Sequence, residues 1–283
     1  MALELDERQR AMLQEMGVRV WMPGTDFAPE PVAPAKPRSS ATSVAVTPRP
    51  PVRAVGAANP AATVALSTPV QERPRDTAID AGGWAELVQA AASCQACGLC
   101  AGRKHATLRA PLHTGTADWM VVGDPPDEDE DRLGSPFAEQ AGLLLDNMLK
   151  AVRVGRQGEG ASGAYLTNVV KCRPPMGKLP QAADLAACAT YLRREIALVQ
   201  PKVIVAMGRF ALQALLVEHP EQAALPLGKQ RGSVYRYGAT PVVVTYHPQV
   251  LLRSSVDKAK AWTDLCLAVQ VVRDADASLQ SGP

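Results

Sequence analysis

Four short runs of apolar and β-branched residues punctuate the later part of the chain, at residues 118–123, 165–170, 202–208 and 241–246. Each is too short for a globular helix and too uniformly apolar for a half-exposed surface, which is the pattern of strands buried on both faces. Between them the apolar positions recur at helical spacing, over residues 81–92, from about residue 138, and over 185–199, 209–217 and 257–273. In the second of these, Leu143, Leu144, Met148 and Leu149 fall on the expected inner face. The acidic stretch 124–131 follows the first strand and reads as a loop by composition. Strands alternating with helices predict an α/β fold, a three-layer αβα sandwich around a central, mainly parallel four-stranded sheet.

Composition divides the chain. Residues 23–81 are dominated by Pro, Ala, Ser, Thr and Val, too poor in large apolar side chains to offset ordering entropy, and are expected to form a disordered linker. The folded domain is expected at 82–275, with a disordered tail at 276–283. Ahead of the linker, Leu5, Met12, Leu13 and Met16 are spaced for a short helix that Gly17 would end before Trp21. Residues 1–22 thus read as a helical peptide that either docks on a partner through its long tether or folds back on the domain.

The net charge of +2 is too small to announce a polyanion partner; the positive signal is local, in Lys171, Arg173, Lys178, Arg231 and Arg253. No apolar stretch reaches membrane-spanning length, and the N-terminus lacks a basic and apolar leader, so the expectation is a cytoplasmic monomer with no membrane partner. Six cysteines in a cytosolic chain point to metal chemistry more than to disulfides. Cys94, Cys97 and Cys100 stand two residues apart from one another, and Cys172 and Cys188 follow later. Two clusters converging on one metal or iron–sulfur centre fit this pattern, and spacing alone leaves zinc open. Cys266 lies in a helical pattern and is expected to be a buried apolar residue.

In an open parallel sheet, ligands bind beyond the carboxyl ends of the strands. Three of the four predicted strand ends carry polar groups there: Asp124, Asn168 and His247. Singly, each is as well explained as a turn or capping residue. With the aromatic face of Phe137 they make a pocket for a flat polar heterocycle, the amide reading an edge and the ring stacking on a face.

The motifs around these residues resemble those of the iron–sulfur (family 4) uracil-DNA glycosylases over about residues 90–271. The chain carries Gly123, Pro126, Glu130, Asp131, Gly134, Pro136, Phe137, Ala141 and Gly142 in order, then Asn168 with Lys171 to Pro175, Cys188, Arg231-Gly232, and His247-Pro248 with Leu251-Leu252-Arg253. The resemblance implies hydrolysis of the N-glycosidic bond of uracil in single- or double-stranded DNA after base flipping. It implies that Cys94, Cys97, Cys172 and Cys188 hold a 4Fe–4S cluster, with Cys100 a bystander. Asn168 would bind the uracil edge, Phe137 stack on it, and His247 stabilise charge on the departing base. Asp124 would supply negative charge near the sugar or orient water. Leu251 or Leu252 would wedge into the base stack, while Lys171, Arg173 and Arg253 hold DNA.

Three positions depart from the pattern. Asp124 replaces a glutamate, Asp127 a glycine and Ala138-Glu139 a Val-Gly pair. Asp127 is expected to resist a backbone conformation suited to glycine, and its carboxylate to repel phosphate, so a weakened glycosylase serving as a replisome accessory subunit is the alternative reading. Leu13 to Trp21 is similar to the N-terminal peptide of the clamp-loader psi subunit, which implies a clamp loader as the partner of residues 5–21.

Overall fold

The computed structural model describes residues 82–111, 116–175, 178–216 and 220–280, with Ile79 alone ahead of them. The proposed docking peptide at 1–22 and all of the linker at 23–81 but Ile79 lie outside the described residues. Helix α1 (Trp84–Ser93) and a 3-10 turn (Gly98–Gly102) lead to strand β1 (Ala117–Gly123). Helices α2 (Glu128–Leu133) and α3 (Glu139–Ala151) precede β2 (Gly160–Asn168), and α4 (Ala182–Val199) leads into β3 (Val203–Met207). Three short helices follow, α5 (Arg209–Leu215), α6 (Pro220–Ala223) and α7 (Leu227–Gln230). The hairpin β4 (Val234–Tyr237) and β5 (Thr240–Thr245) comes next, then α8 (Pro248–Arg253) and α9 (Val256–Gln280).

Among the described residues the strands form one sheet in the order β2-β1-β3-β5-β4, parallel except for β4. The four expected strands are present, and β4 is an addition. Its side chains alternate between exposed and half-buried, the signature of an edge strand, so it lacks the continuous apolar run that marks the buried strands. Successive side chains of β1, β2, β3 and β5 point to opposite faces and build two cores. Trp119, Val121, Val205, Met207 and Val243 pack against α3, α8 and α9, whereas Met120, Val122, Ile204, Ala206 and Val242 pack against α1, α4 and α5. The three layers follow directly from that alternation.

Four readings of the pattern need correction. The acidic stretch after β1 holds helix α2, because Asp127 and Glu130 form a reciprocal capping box: Asp127 accepts from the Glu130 amide at 2.9 Å and Glu130 from the Asp127 amide at 2.8 Å. On α3 the inner face carries Leu145, whereas Leu143 is 59% exposed. The last helix continues to Gln280, five residues past the boundary set at 275, and Cys266 is exposed on it, since Trp262, Leu265, Ala268 and Val272 occupy the buried stripe. None of the described helices is long and apolar enough to cross a membrane.

The register of α3 is testable. Leu145→Ala should lower the unfolding free energy by about 2–5 kcal/mol, and Leu143→Ala by less than about 0.5 kcal/mol, as measured by urea denaturation. Equal costs at the two positions would contradict the assigned face.

Candidate active site

Strand register puts Asn168, Gly123, Met207 and Thr245 in one row across four strands, so the residues just beyond them share one rim. Asp124 leaves β1 there, Gly208 leaves β3, and His247 follows β5 as the N-cap of α8. Phe137 reaches the same place from the loop between α2 and α3. A Cβ on Gly123 would lie 2.6 Å from the Phe137 ring, so a glycine at the end of β1 is what lets the ring settle there.

Glu130, which the sequence reading noted only as a motif match, is the hub of this rim. Its buried carboxylate accepts three N–H groups: the Asp127 amide at 2.8 Å, the Phe137 amide at 2.5 Å and the Asn168 side-chain nitrogen at 3.1 Å. Burial pushes Glu130 up to about 7, against the opposing pull of those donors. Asn168 Nδ2 gives its other hydrogen to the Asp124 carbonyl at 3.0 Å. Both neighbours are acceptors, which orients the amide and leaves Oδ1 as a buried acceptor without a partner among the described residues. Phe137 itself sits at φ +52°, in the left-handed region, held by the Glu130 carboxylate on its N–H and the Arg156 guanidinium on its carbonyl at 2.9 Å.

The His247 ring stacks against Phe137, with centroids 5.3 Å apart and planes 19° from parallel. Its Nδ1 accepts the Gln249 amide at 3.4 Å, so the proton of the neutral ring is on Nε2, a buried donor without a partner among the described residues. Burial depresses the His247 pKa to about 4, so the ring is neutral at ordinary pH. The site therefore presents one buried acceptor and one buried donor at the end of a parallel sheet, beside an aromatic ring.

Asp124 lies at the rim as expected, but its carboxylate turns toward α5, accepting the amides of Phe210 at 2.8 Å and Ala211 at 3.3 Å. Gly208, at φ +107°, makes room for it, since a Cβ there would sit 2.1 Å from Asp124 Oδ2. Burial raises Asp124 to about 6, with the α5 amides opposing. Asp127 has an ordinary extended backbone, φ −87°, so the expected conformational resistance is absent. Its carboxylate caps α2 and accepts from Gln249, tying α2 to the helix that His247 caps. Backbone strain falls instead on Glu139, at φ +49°, where the departure from glycine costs on the order of 1 kcal/mol.

The expected DNA contacts divide. Leu252 is 47% exposed and Arg253 is exposed, whereas Leu251 is fully buried in the core between α3 and α9 and cannot wedge into a base stack. Arg173 is half-buried and pairs with Glu128 at 3.3 Å. Lys171 is 1% exposed, with its ammonium 2.6 Å from Glu195, so it is no phosphate contact. Arg231 is likewise structural, paired with Asp264 at 2.7 Å.

The cysteines gather on the opposite face of the sheet from α3. Cys94 and Cys97 lie between α1 and the 3-10 turn and Cys100 within that turn, all partly buried, and Cys172 after β2 and Cys188 in α4 are buried in the same apolar cluster. Burial raises the pKa of Cys97, Cys172 and Cys188, so these thiols favour their neutral form. Arg103 donates to Cys172 Sγ at 3.2 Å. Burial pushes Cys188 up to about 12, so it ionises only where a bound cation supplies the compensating charge. Among the described residues no three His, Cys, Asp or Glu side chains stand close enough to hold a single metal ion, whereas a four-iron cluster takes thiolates further apart, each on its own iron.

Residues 111–266 match the uracil DNA glycosylase superfamily, and the chain belongs to it. Within that superfamily it is similar to type-4 uracil-DNA glycosylases. It is 34% identical to that of Archaeoglobus fulgidus over 172 residues, covering 59% of this chain and 82% of the relative. It is 37% identical to that of Sulfurisphaera tokodaii over 140 residues, 48% of this chain and 61% of the relative, and 36% identical to that of Thermotoga maritima over 136 residues, 48% of this chain and 66% of the relative. The chain thus spans about three fifths to two thirds of the length of these last two relatives.

The protonation of His247 is open to test. Its NMR titration midpoint, assigned with His247→Gln, should lie near 4. Because the folded value is below the unfolded one of 6.5, this ring's contribution to stability is full above pH 6.5 and is lost as pH falls toward 4, by up to about 3 kcal/mol. A midpoint at or above 6.5 would contradict the buried, neutral ring.

Proposed function

We propose that the protein is a DNA-repair enzyme that hydrolyses the N-glycosidic bond of uracil in DNA, leaving an abasic site. The observation that carries this reading is the pair of buried, unpartnered groups, Asn168 Oδ1 and His247 Nε2–H, set beside Phe137 at the carboxyl edge of the sheet. Uracil presents an N3–H between two carbonyl oxygens, so Oδ1 accepts from N3 and the imidazole donates to an adjacent oxygen. Cytosine, with an acceptor at N3, would face acceptor with acceptor and leave both unpaired, a cost of about 1–3 kcal/mol.

As the bond from C1′ to N1 breaks, its electron pair moves into the base and negative charge develops on the uracil oxygens. A neutral, preoriented Nε2–H stabilises that charge without a proton having to be lost first. Positive charge develops on the sugar, where Asp124 supplies a carboxylate that is ionised above about pH 6. Water adds to C1′, one hydrogen remaining on the new hydroxyl and the other proton passing to the uracil anion or to solvent. Leu252 and Arg253, both exposed, would hold the opened stack and the backbone.

The same proposal assigns a 4Fe–4S cluster to Cys94, Cys97, Cys172 and Cys188, a group that braces the loops around β2 and takes no part in bond cleavage. Uracil-containing DNA is the proposed partner. A clamp loader at residues 5–21 rests on the pattern from Leu13 to Trp21 alone. Asp127, one of the three departures behind the non-catalytic alternative, is an unstrained cap and does not support it.

Purified protein incubated with a uracil-containing oligonucleotide and then alkali should give strand breaks. His247→Ala should lower kcat by about 10²–10³-fold, the cost of losing one preorganised donor. Asn168→Ala should lower it at least about tenfold and weaken discrimination against cytosine. Absence of breaks from wild-type protein on both single- and double-stranded substrate would overturn the reading.

A further inference from the structure

We infer that Lys171 is a positioning residue, a buried strut that holds the backbone of Asn168 from behind the base site; the inference rests on the glycosylase reading of that site. All three ammonium hydrogens have acceptors: Thr167 Oγ1 at 2.7 Å, the Asn168 carbonyl at 2.7 Å and Glu195 Oε2 at 2.6 Å. Nothing is left for a phosphate. Glu195 is buried in turn, and its other oxygen accepts the hydroxyls of Tyr165 at 2.9 Å and Thr167 at 2.8 Å. The carbonyl of Lys171 accepts the Thr107 amide at 3.0 Å, and the next residue in the chain is Cys172 of the thiol set.

One residue therefore touches the base-reading segment with its side chain and adjoins the thiol set in the chain, next to Cys172. Cys188 and Glu195 are seven residues apart on α4, nearly two full turns, so both lie on one stripe of that helix. Glu130 fixes the Asn168 side chain and Lys171 fixes its main chain, so the two carboxylates Glu130 and Glu195 determine the direction of Oδ1 from opposite sides of the sheet end. An ion pair buried this completely adds little stability over apolar side chains of the same size, which makes position, and not stability, its principal contribution.

The test compares Lys171→Met with the double variant Lys171→Met/Glu195→Met, which removes the charge left unpaired in the single one. The double variant should recover most of the thermal midpoint lost by Lys171→Met. Its kcat on uracil-DNA should still be at least about tenfold below wild type, with KM and its salt dependence unchanged. Arg253→Ala, by contrast, should raise KM and flatten the logarithmic salt slope by about one. Amide hydrogen exchange across 167–172, read without turnover, should be at least about tenfold faster in the double variant than in wild type. Full kcat at a recovered midpoint, a salt slope reduced by about one, or unchanged exchange would each overturn the strut. Wild-type protein that cleaves no uracil-DNA would instead refute the glycosylase reading, and the exchange rates would still decide the role of Lys171.

Discussion

The carboxylate of Glu130 is the constraint on which the rest of the site depends. A buried carboxyl group favours its proton, and the donors around Glu130 oppose that pull without cancelling it, which leaves its pKa raised to about 7. Three elements bring those donors: the cap of α2, the left-handed turn at Phe137 and the end of β2. Because the two Glu130 oxygens receive all three, the positions of the aromatic ring, the base-reading amide and the acidic helix are solved together. A change at any one of them propagates to the others through a group that tolerates no unpaired lone pair at that depth.

Electrostatics divide the rim by function. His247 is kept neutral by burial, with its proton fixed on Nε2 by the Gln249 amide on the other nitrogen. Asp124 keeps a negative charge whose orientation is set by the first amides of α5. In the proposed reaction, a neutral donor toward the base and an anion toward the sugar would match the charge separation that accompanies glycosidic cleavage. The thiol set and the Lys171–Glu195 pair lie behind the same strand end, so on the proposed reading the face turned away from the base supplies rigidity to the reacting one.

Much of this was legible in the chain before any coordinates. The four buried strands declared themselves as apolar runs, and the rim residues Asp124, Asn168 and His247 followed from where those runs end. What escaped had physical reasons. Strand β4 is an edge with one face wet, so Val234 to Tyr237 alternate and give no continuous run. Helix α2 hid in an acidic stretch with no apolar periodicity, Leu133 being its one apolar residue, although the spacing of Asp127 and Glu130 is that of a capping box. Leu143 and Leu145 are the two ends of a run of three leucines, where periodicity alone does not choose the face. Lys171 and Leu251 were assigned outward by residue type and motif position, but their burial depends on Glu195 and on the α3–α9 core, partners far away in sequence. No local pattern reports a contact of that kind.

The central claim is that Asn168 Oδ1 is held as an acceptor for an N3–H. The most direct measurement is competition by free bases for cleavage of a uracil-containing oligonucleotide, comparing uracil with N3-methyluracil. The account predicts inhibition by uracil and a loss of at least about tenfold in affinity on methylation, since the methyl group removes the hydrogen bond and leaves Oδ1 buried without one. Equal inhibition by the two bases would contradict it.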